Sequence, residues 1–179
     1  MINLTFIRHT SVDVPPGVCY GQTDVPLAPS FPEEALIVKD GLAGIHFDEI
    51  YCSPLSRCVR LAEYCGFTTP KFDKRLMEMN FGEWEMMRYD KITDPRLQEW
   101  YADFMNVAPT GGESSIQQRH RLECFLSELK ERNYTPGAKI AVFTHGGIMI
   151  HAMAMLSGIT YEEAFRRQPG YGAILHLSL

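Results

Sequence analysis

The chain has 179 residues, 45% of them hydrophobic and 22% charged, enough apolar material for one well-filled core of ordinary domain size. Its 22 acidic residues outnumber 17 basic ones, and the net charge of -5 lacks the positive excess that binding to a phosphate backbone needs. The longest apolar stretch, Ile148 to Leu156, is interrupted by His151 and is too short to span a bilayer, so neither nucleic acid nor membrane is an expected partner.

Met1 leads straight into a strand-like run without the basic start and long apolar centre of a secretory leader, and a cytoplasmic location is expected. Predicted strands cover Asn3 to Ile7, Glu49 to Cys52, Ile140 to Thr144 and Ile174 to Leu177, with a weaker candidate at Lys71 to Phe72. Ser30 with Glu33 reads as a capping box opening a helix that stops near Gly41 to Gly44, and Thr160 with Glu163 reads as another. Leu122, Phe125, Leu126 and Leu129 recur at helical spacing, with Glu123, Glu128, Lys130 and Glu131 on the wet side. Strands separated by crossover helices predict an α/β fold, a doubly wound and mostly parallel sheet flanked by helices. The Pro/Gly clusters at Pro15-Pro16-Gly17 and Pro109 to Gly112 are loop-sized, so residues 1–179 are expected to form a single domain. Cys19, Cys52, Cys58, Cys65 and Cys124 contain no C-x-x-C pair and leave an odd thiol, which fits reduced cysteines rather than a disulfide framework or zinc knuckle.

Three predicted strands run into residues capable of chemistry: Ile7 precedes Arg8-His9, Cys52 precedes Ser53-Pro54-Leu55-Ser56-Arg57, and Thr144 precedes His145-Gly146-Gly147. Ligands of such sheets sit at strand carboxyl ends, so all three segments would share one rim. Two arginines and two histidines there make a donor-rich cationic pocket suited to a phosphoryl group carrying about two negative charges. A neutral imidazole can attack phosphorus, and a carboxyl group can protonate the departing alkoxide and then activate water. Glu78, Glu83, Glu85 and Asp24 are the candidate carboxyls, while His46, His120, His151 and His176 have no such partners and read as structural. Met77, Met79, Met86 and Met87 around Trp84 could wall the leaving-group side.

These segments resemble the histidine phosphatase, or phosphoglycerate mutase-like, superfamily. Arg8-His9-Thr10 is similar to its R-H-G strand end, Thr144-His145-Gly146-Gly147 to its second H-G, and Ser53 to Arg57 to its S-x-L-x-R helix entry. Within it, Gly21-Gln22-Thr23-Asp24-Val25-Pro26-Leu27, Leu76 to Glu85 and Pro109-Thr110-Gly111-Gly112-Glu113 resemble stretches of the α-ribazole phosphatases of cobalamin nucleotide-loop assembly. The resemblance implies a phosphomonoesterase working through a phosphohistidine, with α-ribazole 5'-phosphate or adenosylcobalamin 5'-phosphate as substrate. It assigns His9 as nucleophile, Arg8, Arg57 and His145 as phosphoryl-binding groups, and Glu78 as acid and then base. Gln22 and Thr23 would border the phosphate and leaving group. No metal or other cofactor is implied, the partner is a small phosphomonoester, and a monomer or homodimer is expected. Two positions depart from the pattern: the glycine after the nucleophile is Thr10, and the asparagine six residues beyond the histidine is Pro15. Thr10 Oγ is a candidate replacement for the lost phosphate donor. A broad-specificity phosphatase, a phosphoglycerate mutase and a non-catalytic phosphate-binding module are the competing readings.

Overall fold

A computed structural model describes all residues from Met1 to Leu179. Five strands, β1 (Asn3–Arg8), β2 (Glu49–Cys52), β3 (Lys71–Phe72), β4 (Lys139–Thr144) and β5 (Ile174–Ser178), form one sheet in the order β3-β2-β4-β1-β5. Every pairing is parallel except that of the edge strand β5, which runs antiparallel to β1. Alternate side chains of the central strands feed two cores, as the two-residue period of a strand requires. Leu4, Phe6, Ile140 and Val142 enter one core, and Ile7, Ala141 and Phe143 enter the other.

Helices cover both faces. The first core is closed by α4 (Ser115–Glu131) through Leu122, Phe125, Leu126 and Leu129, and by α5 (Gly146–Leu156) through Ile148, Met149 and Ala152. The second is closed by α1 (Phe31–Gly41) through Ala35 and Val38, and by α2 (Ser56–Tyr64) through Cys58, Leu61 and Ala62. Two short helices, α3 (Arg96–Ala102) and α6 (Tyr161–Arg166), complete the set. No helix is long and apolar enough to cross a membrane.

This winding places the site. The neighbouring strands β1 and β4 end together, Arg8 pairing with Thr144. The chain leaves β1 toward the α1 face and leaves β4 toward the α5 face. Loops that part to opposite faces open a crevice at the strand carboxyl ends.

Helix starts depart in part from expectation. Ser30 makes no capping bond; its hydroxyl donates to Glu34 at 2.6 Å, and the same carboxylate accepts Ser11 N–H at 2.8 Å from the loop after β1. The tertiary contact has displaced the local box. At α6 only half of the box forms: Thr160 Oγ accepts the Glu163 N–H at 3.2 Å, while the Glu163 carboxylate reaches Arg167 at 2.6 Å. The complete capping box lies at α4, where Ser114 Oγ accepts Gln117 N–H and Gln117 Oε1 accepts Ser114 N–H at 2.7 Å. Ser114→Ala should therefore lower stability by about 1 kcal/mol, measured as a shifted urea midpoint with an unchanged m-value.

Candidate active site

Arg8 and His9 stand at the end of β1, and His145 caps the start of α5 after β4. Arg57 projects from the first turn of α2. The two imidazole rings meet edge to face with centroids 5.1 Å apart. His9 Nδ1 lies 2.7 Å from the Thr10 carbonyl oxygen. A carbonyl only accepts, so Nδ1 carries the hydrogen and Nε2 keeps a free lone pair. His145 Nε2 lies 2.8 Å from Ser53 Oγ and 3.5 Å from Cys58 Sγ, which fix the second ring from the β2 side.

Both arginines are held by carbonyl oxygens rather than carboxylates. Arg57 donates to Gly21 O at 2.6 Å and Thr23 O at 3.0 Å, and Arg8 donates to Pro169 O at 2.5 Å. Neither belongs to any of the chain's ion pairs. Their Nε atoms and Thr10 Oγ are buried without a hydrogen-bond partner. Burying cationic charge without a counter-charge is costly, and spare buried donors mark a site built to receive an anion. The same surroundings tune the histidines. Burial, then Arg57 and Arg8, push the His9 pKa down to about 3, against a smaller opposing effect of its bond to Thr10. Burial, followed by Arg57, His9 and Arg8, holds His145 well below the usual imidazole range. Both rings are therefore neutral near pH 7.

A tyrosine pair roofs the cluster. The Arg8 guanidinium lies 4.3 Å from the Tyr171 ring centroid, and that of Arg57 lies 5.2 Å from the Tyr20 ring centroid. The two phenol oxygens are 3.0 Å apart. Under this roof His9 is 1% exposed and Arg57 and His145 are fully buried.

The carboxyl candidates separate cleanly. Glu78 Oε1 accepts Met79 N–H and Gln118 Nε2–H, each at 2.9 Å, and Oε2 accepts Gly147 N–H at 3.2 Å. It borders the same cavity as Arg8. Glu85 instead fastens the loop after β1, accepting from Gln22 N–H at 2.9 Å, Thr23 N–H at 2.7 Å and the Thr23 hydroxyl. Asp24 accepts Ser56 N–H at 2.9 Å at the start of α2, and Glu83 is exposed. Gln22 donates to the Glu78 carbonyl at 2.9 Å, and neither Gln22 nor Thr23 lines the cavity. Thr10 is buried beside His9, whereas Pro15 is exposed.

A cavity of about 580 Å³ extends from Arg8, Glu78 and Gly147 into a largely aromatic chamber walled by Tyr89, Trp100, Phe104 and Tyr161. Of the four methionines expected as a wall, only Met79 lines it; aromatic side chains from α3, α6 and their loops take the place of the others. His151 is buried, 3.2 Å from Ser115 Oγ, and is pushed down to about 4 chiefly by that burial. No group of three or more His, Cys, Asp or Glu side chains is arranged to hold a metal ion.

Residues 4–179 match the histidine phosphatase superfamily (branch 1). The chain belongs to this family. It is 28% identical to the adenosylcobalamin/alpha-ribazole phosphatase of Escherichia coli (strain K12), over 90% of this chain and 82% of that protein. It is also 28% identical to phosphoserine phosphatase 1 of Hydrogenobacter thermophilus, over 91% of this chain and 80% of that one. The fold superposes on the crystal structure of the alpha-ribazole phosphatase from Shigella flexneri with a TM-score of 0.85 at 24% identity, covering 99% of this chain and 90% of that one.

Ser53, which meets His145, belongs to the strand-end motif named above, but several residues of the site escaped the sequence reading: Cys58 beside His145, the Tyr20–Tyr171 roof, and Gln118 on Glu78. Only Gln118 carried a signal, as an amide in line with the apolar stripe of α4.

The depressed His9 pKa fixes a pH dependence. The unfolded chain binds this proton near pH 6.5 and the folded chain near 3, so the stability contributed above pH 6.5 is lost as pH falls through that interval. His145 acts in the same direction. Urea unfolding at pH 7, 5 and 4 should show falling stability, and His9→Asn should flatten the slope.

Proposed function

We propose that this chain hydrolyses phosphomonoesters through a phosphohistidine at His9, without a metal, and that its substrate is α-ribazole 5'-phosphate or adenosylcobalamin 5'-phosphate. The observation that carries the reading is the neutral His9, its Nε2 lone pair free, enclosed by two guanidiniums that no carboxylate neutralises. The phosphoryl dianion supplies the missing negative charge. Nε2 attacks phosphorus while the ester P–O bond breaks, and protonated Glu78 gives its proton to the departing alkoxide. Arg8, Arg57, His145 and the Thr10 hydroxyl hold the equatorial oxygens as charge spreads over them. Ionised Glu78 then takes a proton from water, the oxygen attacks the phosphohistidine, and the P–N electron pair returns to His9. Gln22 and Thr23 shape the loop whose carbonyls hold Arg57, rather than touching substrate through their own side chains.

The aromatic chamber supports the choice of alcohol. A flat benzimidazole base stacks well on such walls, whereas serine would leave most of the chamber unfilled. The five free thiols support a reducing, cytoplasmic setting for this activity. Its phosphoserine phosphatase relative makes a broader specificity the second reading. Comparing kcat/KM for α-ribazole 5'-phosphate with O-phosphoserine, 3-phosphoglycerate and nucleoside monophosphates decides between them. A preference of at least tenfold for the ribazole ester is expected, and equal values would leave the broader reading.

His9→Ala should abolish turnover while circular dichroism remains native, and acid-labile, base-stable phosphate should be trapped on wild-type enzyme alone. Thr10→Val should weaken inhibition by inorganic phosphate about tenfold, the effect of one hydrogen bond to a charged group. Unchanged inhibition would remove Thr10 from the site.

A further inference from the structure

Gln118 stands where an apolar residue is expected. The buried face of α4 runs Ser115, Gln118, Leu122, Phe125, Leu126 and Leu129, and Gln118 is only 2% exposed. A buried amide needs a partner, and on the wall of the cavity its Nε2 finds Glu78 Oε1 at 2.9 Å. The fit is close from a third side: a methyl group added to Gly147 would overlap Glu78 Oε1 and come within 2.9 Å of both polar atoms of the Gln118 amide. The same helix also holds the main chain of Glu78, whose carbonyl accepts Arg121 Nη2–H at 3.1 Å.

The donor count separates the two carboxyl oxygens. Oε1 accepts from both Met79 N–H and Gln118, which occupies its two lone pairs; Oε2 accepts only the 3.2 Å bond from Gly147. A proton on Glu78 therefore resides on Oε2. We propose that Gln118 is the positioning residue for proton transfer: it saturates Oε1, confines the transferable proton to Oε2 and fixes that oxygen toward the cleaving ester. This rests on the reading of Glu78 as the general acid. Without the amide, the proton is shared between both oxygens and the carboxyl group can rotate away.

The test compares kcat/KM, which reports events up to release of the alcohol, for two esters. α-Ribazole 5'-phosphate has an alkoxide leaving group that needs a proton, and 4-nitrophenyl phosphate has one that does not. Gln118→Leu should lower kcat/KM for the ribazole ester about tenfold or more while 4-nitrophenyl phosphate stays within about twofold, the loss of one charge-assisted hydrogen bond. Gln118→Glu, which keeps the size of the side chain but removes the amide donor to Oε1, should discriminate between the two esters in the same way. Retained turnover of 4-nitrophenyl phosphate certifies the fold. Equal losses with both esters would overturn the proposal. Glu78→Gln run alongside separates the two ideas: if it discriminates between the esters and Gln118→Leu does not, only the role of Gln118 falls. If Glu78→Gln also fails to discriminate, the acid assignment falls and takes Gln118 with it.

Discussion

Two guanidiniums held only by carbonyl oxygens, that of Arg57 fully buried and that of Arg8 half-buried, are the constraint around which the molecule is arranged. Their charge is stabilised by main-chain dipoles and by the Tyr20 and Tyr171 rings, a weaker compensation than a carboxylate would give. A carboxylate in either place would bind the arginine and occupy the position of the incoming phosphoryl group. The acidic side chains nearby are kept to other tasks: Glu85 ties the loop, Asp24 starts α2 and Glu78 faces the cavity. In the proposed reaction the positive field serves twice, attracting the dianion and adding to the burial that keeps His9 free of a proton. Once the anion is bound, its charge opposes that field, and when phosphate departs the field returns.

Holding such a cluster requires rigid surroundings. Each member stands at the end of a strand buried on both faces or in the first turn of a helix packed on the sheet. The carboxyl side is supported separately. Glu113 accepts Asn80 N–H at 2.9 Å and pairs with Arg121 at 2.6 Å, clasping the segment that carries Glu78 onto α4. His9, the proposed nucleophile, thus comes from the sheet and Glu78, the proposed proton donor, from a loop gripped by a helix, and each is held in place by its own surroundings.

How much of this was legible in the residues follows from how local each signal is. Strand positions and the amphipathic face of α4 are periodic in sequence, and all five strands lie where the apolar runs put them. Arg8, His9, Arg57 and His145 could be named because each follows a strand-like run, and the topology gathers strand ends at one rim. The helix start at Ser30 lies where the residues put it, but its capping box does not form: the Ser30 hydroxyl turns to Glu34, which also holds Ser11, a partner that no local pattern displays. The loop residues Gln22 and Thr23 stand out by type, yet their groups turn to Glu78 and Glu85 across long stretches of chain. The Tyr20–Tyr171 roof could not be read at all, because two isolated tyrosines become a pair only once β1 and β5 are joined.

The pairing of β1 with β4 has a consequence for how the site comes into being. These strands come from opposite ends of the polypeptide, so their alignment must pay a large loop-closure entropy before any contact compensates for it, which is the circumstance that slows folding. On the ribosome, the first strand emerges with His9 at its end and waits for a neighbour synthesised more than a hundred codons later.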